Sequence, residues 1–294
     1  MKHIHFIINP IAGKGNNHIN LNILNQYFSI EEYNVVIKKS LHKKHAITLT
    51  QESILEKAEI IVACGGDGTI NEVASCLVNT QIILGIIPIG SGNGLASNLK
   101  IPKQIHKSLL LIKNETIKKI DIGRINNHYF FSNSGFGISA SVIKNYELSK
   151  TRNLLGYIKA SIKSLKELNQ SNNIEVSING EIICINPILI FVSNSNELGY
   201  HFSLTPKASL QDGLLDIIIV SKLNTIKLFL FSVLMIFKKH HLLKEVKSFQ
   251  SNSIKVSQKQ KQTLNTQIDG EILNLNDKTI NLSVLEKSLH VIAN

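Results

Sequence analysis

Two glycine-rich runs and two carboxylates have the strongest claim on chemistry in this chain. Gly65-Gly66-Asp67-Gly68-Thr69 stands between an apolar run, Glu59 to Cys64, and the start of a helical pattern. Glycines there let backbone N–H groups approach phosphate oxygens with no Cβ in the way. A helix that follows offers unpaired N–H groups and a positive dipole end. Asp67 does not belong in a simple phosphate cradle, because a carboxylate repels phosphate unless Mg²⁺ or a substrate hydroxyl comes between them. Its presence points to catalysis. A plain Gly/Asp turn is the bland alternative, and the placement between strand and helix argues against it. Gly90-Ser91-Gly92-Asn93-Gly94 follows a second apolar run, Ile82 to Pro88, and Asn9 to Gly15 follows a third and brings Lys14. Glu271 comes directly after Asp269-Gly270, a common hairpin signal, and on its own it reads as a turn carboxylate.

These loops need elements to hold them. Ile4 to Asn9, Tyr33 to Lys38, Glu59 to Cys64 and Ile82 to Pro88 read as strands. Helical patterns lie between them, to about Phe28, over His45 to Lys57 and over Ile70 to Val78, and others follow through Leu99 and Lys113. This alternation predicts a doubly wound parallel sheet whose ligands bind outside the carboxyl ends of the strands. The rhythm changes near residue 120. Ile120 to Ile125 and His128 to Ser132 form a hairpin pattern around Asn126-Asn127, and a basic helical stretch covers roughly Ser139 to Gln170. Short strands then dominate, ending in two separate ones, Thr279 to Val284 and Leu289 to Ile292, and together they predict an antiparallel sandwich or barrel. The domains expected are 1–120, an α/β nucleotide-binding domain, and 121–294, a β-rich domain whose last strand returns to the first.

The 294 residues carry 32 Lys plus Arg against 21 Asp plus Glu, a formal charge of +11. Nucleic acid, an anionic membrane surface and phosphate-rich substrates all suit that excess. Nucleic acid is set aside because no zinc spacing, RNA-binding aromatic motif or recognition-helix pattern is present. Cys64, Cys76 and Cys184 match no metal or disulfide framework, and Cys64 and Cys76 read as core residues. The first residues enter a strand pattern directly and lack the features of a signal peptide, so a cytoplasmic location is expected. Leu228 to Phe237 is apolar between Lys227 and Lys238-Lys239. As a helix it rises only about 15 Å against a hydrocarbon core of about 30 Å, so it is a core helix or an interfacial one.

Read in order, these motifs resemble the diacylglycerol kinase/sphingosine kinase-like lipid kinase family. The matching stretches are Asn9-Pro10 with Ala12-Gly13, Gly65 to Val73, and Pro88 to Ala96. Pro206-Lys207-Ala208 with Asp212 to Asp216, and Ile268-Asp269-Gly270-Glu271, complete the set. The resemblance spans nearly the whole chain. It implies an α/β nucleotide domain and a β-rich lipid domain with the active site in the cleft between them, Mg²⁺–ATP as donor and a lipid alcohol as acceptor. It places nucleotide contacts on Ser40, on Gly66 to Glu72 (Asp67, Gly68, Thr69, Asn71 and Glu72 among them) and on Ser91. Asn9, Lys14, Gly65, Gly90 and Asn93 complete the loops that form the expected nucleotide pocket. It further implies a structural metal held by Asp212 with carbonyl ligands at Ser209 and Leu214, and Glu271 as general base.

Two departures bear on the acceptor. Many relatives read Gly-Thr-x-Asn-Asp in the second loop, and the form here is closer to the sphingosine and ceramide kinase branch. Many also carry an Asp where Ser139 follows Gly135-Phe136-Gly137-Ile138. The mechanism expected is phosphoryl transfer, with Asp67 positioning Mg²⁺ and Glu271 taking the hydroxyl proton, or the two roles exchanged. The rivals are an NAD kinase, which shares the Gly-Gly-Asp-Gly-Thr loop, and a non-catalytic lipid-binding protein. The partners expected are a lipid alcohol and an anionic membrane met peripherally, with a homodimer left open and nucleic acid not among them.

Overall fold

The computed structural model describes residues 1–13, 18–90, 92–148, 156, 159–161, 163–164, 174–196, 203–258 and 264–294. Lys14 and Ser91 lie outside the described residues, as does half of the basic stretch 139–170, including Lys150, Arg152 and Lys166. The chain divides into two compact units, Met1–Ile122 with Glu286–Asn294, and Gly123–Leu285.

The first unit is built on the parallel strands β1 (Lys2–Ile8), β2 (Tyr33–Lys39), β3 (Ile60–Gly65) and β4 (Ile83–Pro88), in the order β2-β1-β3-β4. Every residue of β3 is buried, as a parallel strand covered on both faces requires. The helices are α1 (Leu21–Leu24), α2 (His45–Leu55), α3 (Asp67–Leu77), α4 (Gly94–Asn98) and α5 (Ile105–Asn114). The direction of winding reverses between β1 and β3. With right-handed crossovers this sends the connections to opposite faces of the sheet. The helix expected to run to Phe28 is confined to Leu21–Leu24. Asn20 caps it, its side chain accepting from the Ile23 N–H at 3.1 Å, and Asn25 closes it. Asn is a poor interior helix residue because its side chain competes for backbone hydrogen bonds. Phe28 is nonetheless buried, with its ring 5.7 Å from Phe6 and 5.1 Å from Tyr33.

Strand β5 (Ile117–Ile125) leads into the second unit, where it forms the expected hairpin with β6 (His128–Phe130). A six-stranded antiparallel sheet there runs β12-β11-β10-β7-β14-β15. Its strands are β7 (Asn133–Gly137), β10 (Leu189–Ser193), β11 (Leu215–Val220), β12 (Val246–Ser251), β14 (Leu264–Ile268) and β15 (Glu271–Leu275). The other layer holds β8 (Ile174–Ile178), β9 (Glu181–Ile185) and β13 (Ser253–Gln258), with β13 paired to the first part of β16 (Thr279–Ile292). Phe136, Val192 and Ile217 from one layer and Val176, Val256 and Leu282 from the other share a buried core, which makes this a sandwich. Helix α6 (Ile138–Glu147) follows β7, and α7 (Thr225–Ile236) covers the outer side of the six-stranded sheet through Phe231.

The two strands expected at the C-terminus are one, β16, fourteen residues long. Leu285 to Ser288 interrupts the apolar pattern without breaking the strand. Lys287 takes a positive φ of 49°, and its N–H donates to Asp121 Oδ1 at 2.7 Å. The end of β16 pairs in parallel with β4, His290 beside Ile83 and Val291 beside Leu84.

Candidate active site

The loops singled out in the first unit all sit at the carboxyl ends of its parallel strands. Asn9 follows β1, Ser40 follows β2, Gly65 to Thr69 carries β3 into α3, and Gly90, Gly92, Asn93 and Gly94 lie from the end of β4 to the start of α4. This is the edge where open α/β sheets bind ligands, and the winding reversal between β1 and β3 lies there.

Hydrogen bonds tie the loops into one body. The Asn9 N–H donates to Cys64 O at 2.9 Å, and its side-chain Nδ2 donates to Thr69 Oγ1 at 3.2 Å. The Ser40 N–H donates to Ile8 O at 2.9 Å. Glu72 accepts the Lys44 N–H at 2.8 Å and so fastens the start of α2. Asp67 reaches across to the second glycine loop. Its Oδ2 accepts from the Asn93 N–H and its Oδ1 from the Gly94 N–H, each at 2.7 Å. Burial raises the Asp67 pKa, and the donated N–H groups of Asn93, Gly94 and Asp67 itself pull against that rise.

The glycines have a role in addition to the one expected of them. A Cβ on Gly90 would stand 2.6 Å from Gly66 Cα, and one on Gly92 would stand 2.8 Å from Asp67 Oδ2. Loop-to-loop contact therefore demands glycine at these positions whether or not phosphate binds. Asn93 is fully buried in a left-handed conformation at φ 57°, and its Nδ2 donates to Gly90 O. A direct nucleotide contact from its side chain does not fit that burial, and Asn93 shapes the loop instead. Gly66, the N-cap of α3, brings no side chain to the first-turn N–H groups, and Gly68 is exposed there. That end is open to an anionic ligand.

Glu271, Ser209, Asp212 and Leu214 belong to the second unit. Asp269 and Gly270 form the two-residue turn between β14 and β15, with φ of 49° and 86°, and Glu271 opens β15 as an exposed residue opposite Ile268. Positive φ at both turn residues is the hairpin geometry that Asp-Gly favours. Asp269 is the residue whose role the sequence did not reveal. Its Oδ2 accepts from the Phe131 N–H at 2.8 Å. Its Oδ1 accepts from Ser132 at 2.7 Å and Asn133 at 2.9 Å. Gln267 reinforces the turn, donating to Asn133 Oδ1 at 2.6 Å and accepting from the Gly270 N–H at 3.0 Å. Only the Asp-Gly pair was visible in the sequence; its partners lie more than a hundred residues away.

Among the described residues no cluster of three or more His, Cys, Asp or Glu stands ready for a metal. The loop at Asp212 offers oxygen donors of another kind. Asp212 is exposed, with Oδ1 accepting from the Leu214 N–H at 3.1 Å, and it stands near enough to raise the pKa of the buried Asp216, a rise caused first by burial. Carboxylate with carbonyl oxygens is a donor set that suits Mg²⁺ or Ca²⁺.

The family matches follow the division of the chain. Residues 3–125 match the diacylglycerol kinase catalytic domain, and residues 133–293 match the YegS C-terminal NAD kinase beta sandwich-like domain. A diacylglycerol kinase of Bacillus subtilis (strain 168) is 29% identical over 277 residues, 92% of this chain and 90% of the relative. A diacylglycerol kinase of Staphylococcus aureus (strain JH9) is 32% identical over 183 residues, 60% of this chain and 58% of the relative. A solved structure described as a diacylglycerol kinase from Bacillus anthracis str. Sterne has a TM-score of 0.71 at 20% identity, covering 100% of this chain and 97% of that one, a likeness of fold. By both of its domains, the chain belongs to the diacylglycerol kinase-like family of lipid kinases.

Proposed function

We propose that this protein transfers the γ-phosphate of ATP to the hydroxyl of a lipid, a diacylglycerol or a sphingoid-type alcohol. The observation that carries the proposal is the joined pair of glycine loops at the sheet edge, held by Asp67, in a chain of this family. The open N-terminus of α3 holds phosphate oxygens through backbone N–H groups, with Gly66, Gly68 and Thr69 in the first turn. Ser40, Asn71 and Glu72 line the neighbouring strand and helix ends, with Lys14 and Ser91 as further nucleotide contacts. Asp67 fixes the second loop and, with ATP bound, would help to hold the Mg²⁺ that accompanies it. That ion would neutralise phosphate charge. Glu271 takes the proton of the attacking hydroxyl, and the Asp269 turn holds it in place. Ser209, Asp212 and Leu214 hold a structural cation in the second unit.

The protein works in the cytoplasm at the inner membrane surface, where its positive charge favours anionic lipid. No helix among the described residues is long and apolar enough to cross a membrane. A single comparison tests the proposal against an NAD kinase: ATP is offered with NAD in one reaction and with dispersed diacylglycerol and sphingoid bases in another. Phosphorylated lipid supports the proposal, and phosphorylated NAD with no lipid product rejects it.

A further inference from the structure

Helix α7 carries two apolar stripes on opposite sides. Leu228, Phe231 and Met235 turn inward and join the cluster of Phe191, Ile218 and Val220 on the six-stranded sheet. Ile226, Phe229 and Leu230 turn outward, and Phe237 at the C-cap continues their line. These four are 79%, 73%, 43% and 66% exposed. At the helical spacing they fall within an arc of about 100°, centred opposite the buried stripe. A surface helix of a globular protein ordinarily turns a polar face outward. Other exposed apolar residues, such as Leu41 and Leu55, are not part of such a stripe. Isolated ones need no explanation, whereas a contiguous stripe does.

The segment that carries this stripe is basic. From Lys222 to Lys247 the chain holds Lys222, Lys227, Lys238, Lys239, Lys244 and Lys247 against the single carboxylate Glu245, which pairs with Lys227. We infer that the outward stripe of α7 is an interfacial docking element that settles among the headgroups of an anionic bilayer, with the lysines on the lipid phosphates. At twelve residues α7 is about 18 Å long, enough to lie in the interface and too short to cross it. Charge decides the occupant. A second copy docked on the same stripe would bring the two lysine-rich segments together, whereas an anionic leaflet answers them. The inference gives the proposed membrane association a location and stands on α7 itself, so it does not depend on which lipid is phosphorylated.

The chain has no tryptophan, so Phe229→Trp gives a single reporter. With vesicles of phosphatidylcholine mixed with phosphatidylglycerol, its emission should shift to the blue, and moderate salt should reverse the shift. Phosphatidylcholine vesicles should give a much smaller shift. Phe229→Ser with Phe237→Ser should lower sedimentation with the mixed vesicles by at least about tenfold, since two aromatic side chains no longer leave water. Lys238→Glu with Lys239→Glu should weaken it as well. Both double variants change exposed residues and should melt as the wild type does, with turnover of a water-dispersed acceptor unchanged. A vesicle shift without lipid turnover would reject the kinase proposal and leave the docking element standing. No shift with anionic vesicles, equal shifts with neutral ones, or a dimer in solution that Phe229→Ser dissolves would overturn the inference.

Discussion

Asp67 holds Asn93: the carboxylate at the first residue of α3 accepts the N–H of the residue that caps α4, at 2.7 Å, and accepts the next N–H, from Gly94, at the same distance. The two glycine loops are thereby one structure. Asp67→Asn should abolish turnover. It should also cost stability, which the sequence alone did not suggest, because one acceptor oxygen becomes an NH₂ facing an N–H. Losing a charge-assisted hydrogen bond at this partly buried position costs about 2 kcal/mol, or a melting temperature lower by about 3 °C for a chain of this size. Turnover and a thermal melt on one preparation check both, and near-normal activity would remove the role of Asp67.

Asp269→Ala should destabilise the protein by about 3 kcal/mol or more, because the N–H groups of the buried Phe131, Ser132 and Asn133 lose their acceptor together. Asp269→Asn should fall between the two, since it keeps one acceptor oxygen. Urea midpoints for the three proteins measure this. Identical midpoints would mean that the turn holds without its carboxylate.

These two carboxylates mark how far the sequence could be read. The strand–loop–helix order of the first unit, the hairpin at Asn126-Asn127 and the sandwich all follow from local pattern: apolar runs, Gly-rich breaks and turn dipeptides. The two glycine loops were legible because glycine runs after apolar strands are local signals. The bonds Asp67–Asn93 and Asp269–Phe131 were not, because they span 26 and 138 residues and no periodicity encodes them. The sequence reads Gly90 as part of a nucleotide pocket, and it does not show that at Gly90 and Gly92 neighbouring loop atoms fill the space that a side chain would need. β16 was split in two because Leu285 to Ser288 looks like a break, and only the Asp121 contact explains how the strand survives it.

Asp212→Ala tests the proposed cation site. The wild type should gain thermal stability on addition of Mg²⁺, and the variant should show no such gain and a lower melting temperature in its presence. In chelator the difference should shrink, because the unscreened repulsion between Asp212 and Asp216 is then relieved in the variant. A Mg²⁺ shift of equal size in both proteins would count against the site.

His240 should make the second unit sensitive to acid. Its ring lies against Phe231 of α7, with centroids 6.2 Å apart. Burial holds its pKa below the ordinary 6.5, the hydrogen bond to the Leu204 backbone opposes that, and neighbouring His241 adds to the lowering. The unfolded chain therefore takes up the proton first. Stability should be full above about pH 6.5 and should fall as pH drops from there toward the lowered folded value. Unfolding by urea at about pH 7.5 and about pH 5 measures the slope. His240→Phe should flatten it, and an unchanged slope would acquit His240.

Lipid phosphorylation that depends on Glu271 is the most direct measurement of the central claim. The purified protein is given ATP labelled at the γ-position, Mg²⁺ and diacylglycerol or a sphingoid base in mixed micelles, and the lipid phase is extracted and resolved. The wild type should yield a labelled phospholipid. Glu271→Gln should bind ATP as the wild type does and make product about 10² to 10⁴ times more slowly, the usual contribution of a general base. No labelled lipid from the wild type with any acceptor would contradict the proposed activity, and a loss of less than about tenfold in Glu271→Gln would pass the role of base to Asp67.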